Sequence, residues 1–249
     1  MARAYTGEEE MHALIEHFCA GSRFLVGSGT RILYFNLDTA EPLSGNPATA
    51  RYEANDALCC RDRLRLSSIR SERDRRRFVL QRHLLYAALS EYSGARPALP
   101  DVRLDANGKP VLPHSPVSFS ISHAGAEYVI ALGPAVARVG VDLDLLSKIR
   151  NPAAYSALLF RDRVFGDAET VLRAWTICEA YAKCTGIPLG SLARGDFSRF
   201  AADLASGGEP GNWAGCRFTL VRFSPASFTT LCERTVPARE GKEIYTLFC

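Results

Sequence analysis

The chain has 249 residues, enough for one large domain or two small ones, each able to bury a core of its own. With 47% hydrophobic and 23% charged residues it has the make-up of an ordinary soluble globular protein and no long low-complexity tract. A formal net charge of +3 is too small to indicate nucleic acid on its own.

The N-terminal MARAYTGEEEMHAL lacks a basic-then-apolar signal pattern, and no apolar run approaches a membrane span. A cytoplasmic location is therefore expected. The eight cysteines contain no C-x-x-C pair and stand at no zinc-finger spacing from histidine, so they read as reduced thiols.

In chain order, Phe24–Gly27 and Arg31–Leu37 read as strands joined by a glycine turn. Glu72 to Leu89 carries Phe78, Val79, Leu84, Leu85, Ala88 and Leu89 at helical spacing, with Gly94 and Pro97 as stop signals. The turn-rich loop Asp105-Ala-Asn-Gly-Lys-Pro110 is the best internal boundary and divides the chain into 1–112 and 113–249. Three strands follow. Val117–Ser122 alternates apolar residues with Ser118, Ser120 and Ser122, Tyr128–Leu132 is continuously apolar, and Arg138–Asp144 comes after Gly133-Pro134. A hydrophobic segment, Tyr155–Phe165, precedes a helix from about Glu169 to Cys184, closed by Gly186 and Pro188. Cys216–Phe223, Phe228–Glu233 and Glu243–Phe248 read as closing strands. The class is α+β, in two halves of similar size.

Three short patterns carry chemistry. In Arg138-Val-Gly-Val-Asp-Leu-Asp144, Val139, Val141 and Leu143 share one strand face, and Gly140, Asp142 and Asp144 share the other. Two carboxylates stacked this way repel unless a cation or solvent separates them, so the face is either a solvated edge or a cation site. In Trp175-Thr-Ile-Cys-Glu-Ala-Tyr-Ala-Lys183, Trp175, Glu179 and Lys183 fall on one i,i+4 stripe. Alone, that stripe is equally a surface ion pair beside a core tryptophan. In Phe119-Ser-Ile-Ser-His-Ala-Gly125, His123 follows a strand, and the small residues after it would admit a ligand close to the backbone.

The ordered set S-x-S-H-A, G-V-D-x-D and W-x-x-x-E-A-x-x-K resembles the 4'-phosphopantetheinyl transferase superfamily. Length, layout and the Gly108-Lys109-Pro110 turn are similar to its longer, monomeric Sfp-like type. The clear resemblance runs from about Asn107 to Gly186. It implies two pseudo-symmetric halves, each a small, mainly antiparallel sheet packed on a long helix, with the active site in the cleft between them. It also implies that the Glu179 helix lies over the Asp142 strand.

In that family a serine of an apo acyl, peptidyl or aryl carrier protein attacks the β-phosphate of coenzyme A, and adenosine 3',5'-bisphosphate leaves. The resemblance implies magnesium held by Asp142, Asp144 and Glu179, a hard ion suited to pyrophosphate oxygens. It also implies Glu179 or a metal-bound water as the base, Lys183 as the cation that neutralises the pyrophosphate or protonates the departing oxygen, and Lys109, Ser122 and His123 as phosphate contacts. Coenzyme A is the co-substrate, and the partner is an acidic, helical carrier protein rather than nucleic acid or membrane. The arginine-rich stretch from Arg61 to Arg82 reads three ways: a solvated helix, a nucleic-acid surface, or a site for coenzyme A and an acidic partner. The last suits it best, with Arg70 and Arg76 as representative phosphate contacts. A basic nucleic-acid-binding module and a magnesium-dependent phosphoesterase are the competing functions. Cys178 departs from the family, where W-x-x-K-E is common; either a cation is missing or the residue is packed. The segment Tyr155–Phe165 is expected to help dock the carrier.

Overall fold

The computed structural model describes residues 23–26, 29–38, 58–94, 102–105, 108–113, 115–160, 164–192, 195–208 and 211–235. The expected strand Glu243–Phe248 lies outside them. The chain is α+β; its described residues form two four-stranded antiparallel sheets and a two-stranded one.

The first sheet contains β1 (Arg23–Val26), β2 (Thr30–Asn36), β5 (Val117–Ala124) and β6 (Glu127–Pro134), in the order β1-β2-β6-β5. It thus draws strands from both sides of the 112/113 boundary expected from the turn-rich loop. That loop instead turns a short hairpin, β3 (Arg103–Leu104) with β4 (Pro110–Val111), and the chain leaves the first sheet only after Pro134. The second sheet runs β7 (Ala137–Leu145), β10 (Ser227–Thr235), β9 (Cys216–Val221), β8 (Asn212–Trp213).

Six helices are described: α1 (Cys60–Ser68), α2 (Glu72–Ser93), α3 (Pro152–Leu159), α4 (Ala168–Thr185), α5 (Leu189–Leu192) and α6 (Asp196–Ala205). The two long ones have clear start and stop signals. Ser71 accepts from the Asp74 amide at the start of α2, and Gly94 ends it in the left-handed region at φ 65°. Asp167 accepts from the Thr170 amide at 2.7 Å and starts α4; Gly186 ends it at φ 79°. The Thr170 amide holds the Asp167 carboxyl below its ordinary range. Helices α3, α5 and α6 are additions to the sequence reading, and α1 falls mostly within the arginine-rich stretch for which a solvated helix is one reading.

Packing makes four layers. Leu84, Leu85 and Ala88 of α2 meet Leu33, Phe35, Tyr128, Ile130 and Leu132 on one face of the first sheet. Ile32, Val129 and Ala131 on its other face meet Val139, Val141, Leu143 and Leu231 of the second. Strand β6 is thus apolar on both faces, which explains its unbroken hydrophobic run. Beyond the second sheet, Ile177, Cys178 and Tyr181 of α4 pack with Phe197 and Ala201 of α6 and Phe218 of β9. The alternating serines of β5 reach β7. Ser118 and Ser120 hydroxyls accept from the Val139 and Val141 amides at 3.4 and 3.0 Å, so side chains satisfy backbone donors where the sheets meet. Among the described residues no helix is long and apolar enough to cross a membrane.

Candidate functional site

Gly140 sets the position of α4. A Cβ there would collide with the Ala180 carbonyl and the Cys184 amide, so only glycine lets the helix lie this close to β7. A bond between Thr176 and Thr230 hydroxyls at 2.9 Å seats the helix on β10. The stripe Trp175, Glu179, Lys183 then faces the same cavity as Asp142 and Asp144. Neither aspartate lies on a solvated edge: they are only 5% and 9% exposed.

The cavity has a volume of about 1130 Å³ and two unlike walls. One wall, from β5, β7 and α4, carries Ser122, His123, Asp142, Asp144, Glu179 and Lys183. Lys183 Nζ donates to Asp142 Oδ1 at 2.7 Å and to Ser122 Oγ at 3.1 Å, and Ser122 donates to the same carboxylate oxygen at 2.8 Å. Asp144 is paired with Lys148 at 2.6 Å, from the 3₁₀ turn Leu146–Lys148. Burial, then the charges of Asp142 and, more weakly, Asp144, hold the Glu179 carboxyl above its usual range, with Lys183 opposing. Three carboxylates with this mutual repulsion form an electronegative locus of hard oxygen donors, which fits a divalent cation such as magnesium. The ligand oxygens are more widely spread than in a closed metal shell. Among the described residues, only three cysteines bring ligand atoms within 4.8 Å of one another as a group. Lysine ammonium groups pair with two of the carboxylates, Lys183 with Asp142 and Lys148 with Asp144.

The other wall comes from α1 and α2 and presents Arg61, Arg65, Arg77 and Arg82. Helix α1 is anchored through Asp62, which is buried and accepts from Arg82 at 2.9 Å and from the Tyr86 hydroxyl at 2.7 Å. Arg82 also lies over the Phe78 ring at 4.8 Å, and Arg77 pairs with Asp38. His123, an exposed residue on the cavity wall, senses this charge. Desolvation, then Lys183, Arg65, Lys148 and Arg82, hold its imidazole below the ordinary range.

Six of the residues singled out from sequence therefore converge: Ser122, His123, Asp142, Asp144, Glu179 and Lys183. Arg70 and Arg76 do not line the cavity. Both are exposed, and Arg76 Nε donates to Glu72 at 3.3 Å. Lys109 is turned away as well, its ammonium donating to the Val139 carbonyl at 2.8 Å. The arginines that do face the cavity include Arg61 and Arg65, one helical turn apart, and that spacing was the available signal. Lys148 carried no such signal, because Asp144 stands near the end of a strand and only the 3₁₀ turn after it brings the lysine back.

Cys178 is 2% exposed within the α4–α6 core, and burial, with a contribution from Glu179, pushes its thiol up to about 12. Of the two readings of that position, packing is the one observed. In the segment after β7, Leu159 and Phe160 are also core, while Val164 is 68% exposed. No protein-family model matches the chain, and no curated protein matches it.

Proposed function

We propose that the protein transfers the 4'-phosphopantetheine arm of coenzyme A to a serine of an apo carrier protein. The observation that carries this reading is the convergence of three separated sequence motifs on one cavity whose opposite wall is arginine. A molecule with a 3'-phosphate and a pyrophosphate matches that pairing of cationic and carboxylate walls. The pseudo-symmetric transferase fold belongs to the same proposal, supported by two antiparallel sheets each backed by a long capped helix.

In this mechanism Arg61, Arg65 and His123 bind phosphate oxygens and orient the nucleotide end. Asp142, Asp144 and Glu179 are the residues that would hold magnesium, which when bound supplies positive charge to the pyrophosphate. Glu179, on the cavity wall, takes the proton of the attacking serine. The serine oxygen bonds to the β-phosphorus as the bond to the α-phosphate side breaks, and adenosine 3',5'-bisphosphate departs. Lys183, already inside the cavity, turns from Asp142 to the departing oxygen. The exposed Arg61, Arg63 and Arg65 of α1 give an acidic, helical carrier a basic rim to meet. The protein acts as a cytoplasmic monomer.

The test is incubation with coenzyme A, magnesium and apo carrier proteins of the fatty-acid, polyketide and peptide-synthetase classes, followed by intact-mass measurement. The expected result is a phosphopantetheine mass gain on at least one carrier, lost without magnesium. Hydrolysis of simple phosphoesters with no carrier modification would favour a phosphoesterase and overturn the proposal.

A further inference from the structure

The eight cysteines show no metal-binding spacing in sequence, yet the fold gathers three of them. Cys184 comes from the last turn of α4, Cys216 from the start of β9 and Cys232 from the middle of β10. Their sulfurs all lie within 4.8 Å of one another, and the residues are 1%, 0% and 0% exposed. We propose that Cys184, Cys216 and Cys232 form a binding site for one soft, thiophilic metal ion, of the class represented by Cu(I), in three-coordinate thiolate ligation.

The register shows how the site is built. Cys232 stands opposite Gly140 on one side and Phe218 on the other, and Cys216 stands opposite Arg234. The two strand cysteines therefore project toward α4, on the face where Gly140 admits the helix backbone. Cys184 descends onto them from the helix. Metal–sulfur bonds of about 2.3 Å place the sulfurs of a trigonal ion about 4 Å apart, which is the scale of this cluster. No oxygen or imidazole ligand completes the described group, and near-complete burial leaves no place for water as a fourth. Three sulfurs alone select a soft ion over magnesium or calcium and suit a low coordination number.

Charge supports the assignment. Three thiolates around a monovalent cation carry excess negative charge, which a buried site must balance. Lys109, on the first-sheet side of the loop, and Arg138 and Arg234, directly paired across β7 and β10, lie around the cluster. This gives a place to a lysine that does not reach the cavity. Cys184 Sγ donates to the Arg138 carbonyl at 3.2 Å. Each thiol that ligates the ion releases its proton to solvent, so uptake is accompanied by acidification of an unbuffered solution.

The experiment uses the full-length reduced protein, titrated anaerobically with Cu(I) against a chromophoric Cu(I) chelator, with X-ray absorption on the loaded wild type. The expected result is about one ion per chain, three sulfur neighbours and no nitrogen or oxygen, with a higher melting temperature. Cys216→Ser and Cys232→Ala should each weaken uptake at least about 100-fold, since each removes a ligand. Cys59→Ser, which alters a thiol outside the cluster, should leave uptake unchanged. Circular dichroism checks the fold of each variant, and the wild-type absorption result stands apart from all of them. No stoichiometric uptake by folded wild type would overturn the proposal. So would nitrogen or oxygen ligation, or loss of uptake in Cys59→Ser.

Discussion

The contact between β7 and α4 has two ends with opposite chemistry. At one end Asp142, Glu179 and Lys183 face a cavity and offer hard oxygen and ammonium groups. One strand step and one helix residue away, Gly140 and Cys184 close over Cys216 and Cys232, and the chemistry becomes soft and dry. The backbone geometry is shared; what differs is the neighbour. Both residues pair with β10, Asp142 opposite Thr230 and Gly140 opposite Cys232, but Asp142 also accepts from Ser122 of β5 at the cavity, whereas α6 and β9 seal the Gly140 end. Distance from the glycine contact thus decides which side chains remain available to solvent ions and which are committed to the interior.

The largest effect should come from destroying the shared geometry. Gly140→Val pushes a branched side chain into the α4 backbone and should cost about 3 kcal/mol or more, or prevent folding. Urea denaturation measures it, and near-wild-type stability would mean that α4 does not approach β7 this closely. Cys178→Lys should come next. It places an ammonium in the core between α4 and α6 and should cost on the order of 3 kcal/mol. A stable, more active variant would instead mean that the cavity lacks a cation there.

Glu179→Gln separates the two ends. On the proposed function, transfer should fall by about 100-fold or more, as expected for a metal ligand and proton acceptor, while the thiol end is untouched. Without magnesium the variant should be the more stable protein at neutral pH. The folded carboxyl holds its proton more tightly than the unfolded one, so the ionised form opposes folding. That cost is present at pH above the folded value and disappears as pH falls through it toward the ordinary 4.5, where the advantage of Gln should vanish. A stability gain that is the same at every pH would rule out like-charge repulsion as its cause.

Some of this was legible in sequence for local reasons. The alternation in Val117–Ser122 and the helical stripe ending at Lys183 each placed residues on faces that packing then preserved. Helix α6 had a readable signal in Phe197, Ala201 and Leu204, all buried at helical spacing. Helix α1 did not: Leu64 is 72% exposed, and its anchor is the polar Asp62. The cysteine cluster was invisible because its members are distant in sequence and meet only through strand pairing. For arginine, charge pattern showed a basic region, but only packing decides which faces turn inward, so that Arg65 of α1 and Arg77 of α2 reach the cavity and Arg76 does not. Arg65→Ala should therefore raise the KM for coenzyme A about tenfold, the worth of one charge-assisted contact, while Arg76→Ala leaves it unchanged. Equal effects would mean that the arginine wall acts only as a diffuse field.

The smallest effect sharpens the comparison from the histidine side. In the free protein, desolvation and neighbouring cations keep the His123 imidazole neutral to lower pH than usual. A bound phosphate would oppose both influences and raise its proton affinity, so binding would take up a proton in the interval between the two values. Wild-type affinity for coenzyme A, measured without magnesium, should then gain over that of His123→Gln as pH falls through that interval. The phosphate's own titration is common to both proteins and cancels in the ratio of their Kd values. The ratio should rise at most about tenfold per pH unit, because one proton is taken up, and level off below the free-protein value. Calorimetry in buffers of different ionisation enthalpy would count that proton directly. A ratio independent of pH, with no proton taken up, would remove His123 from the phosphate site while leaving the carboxylates of β7 and α4 in place.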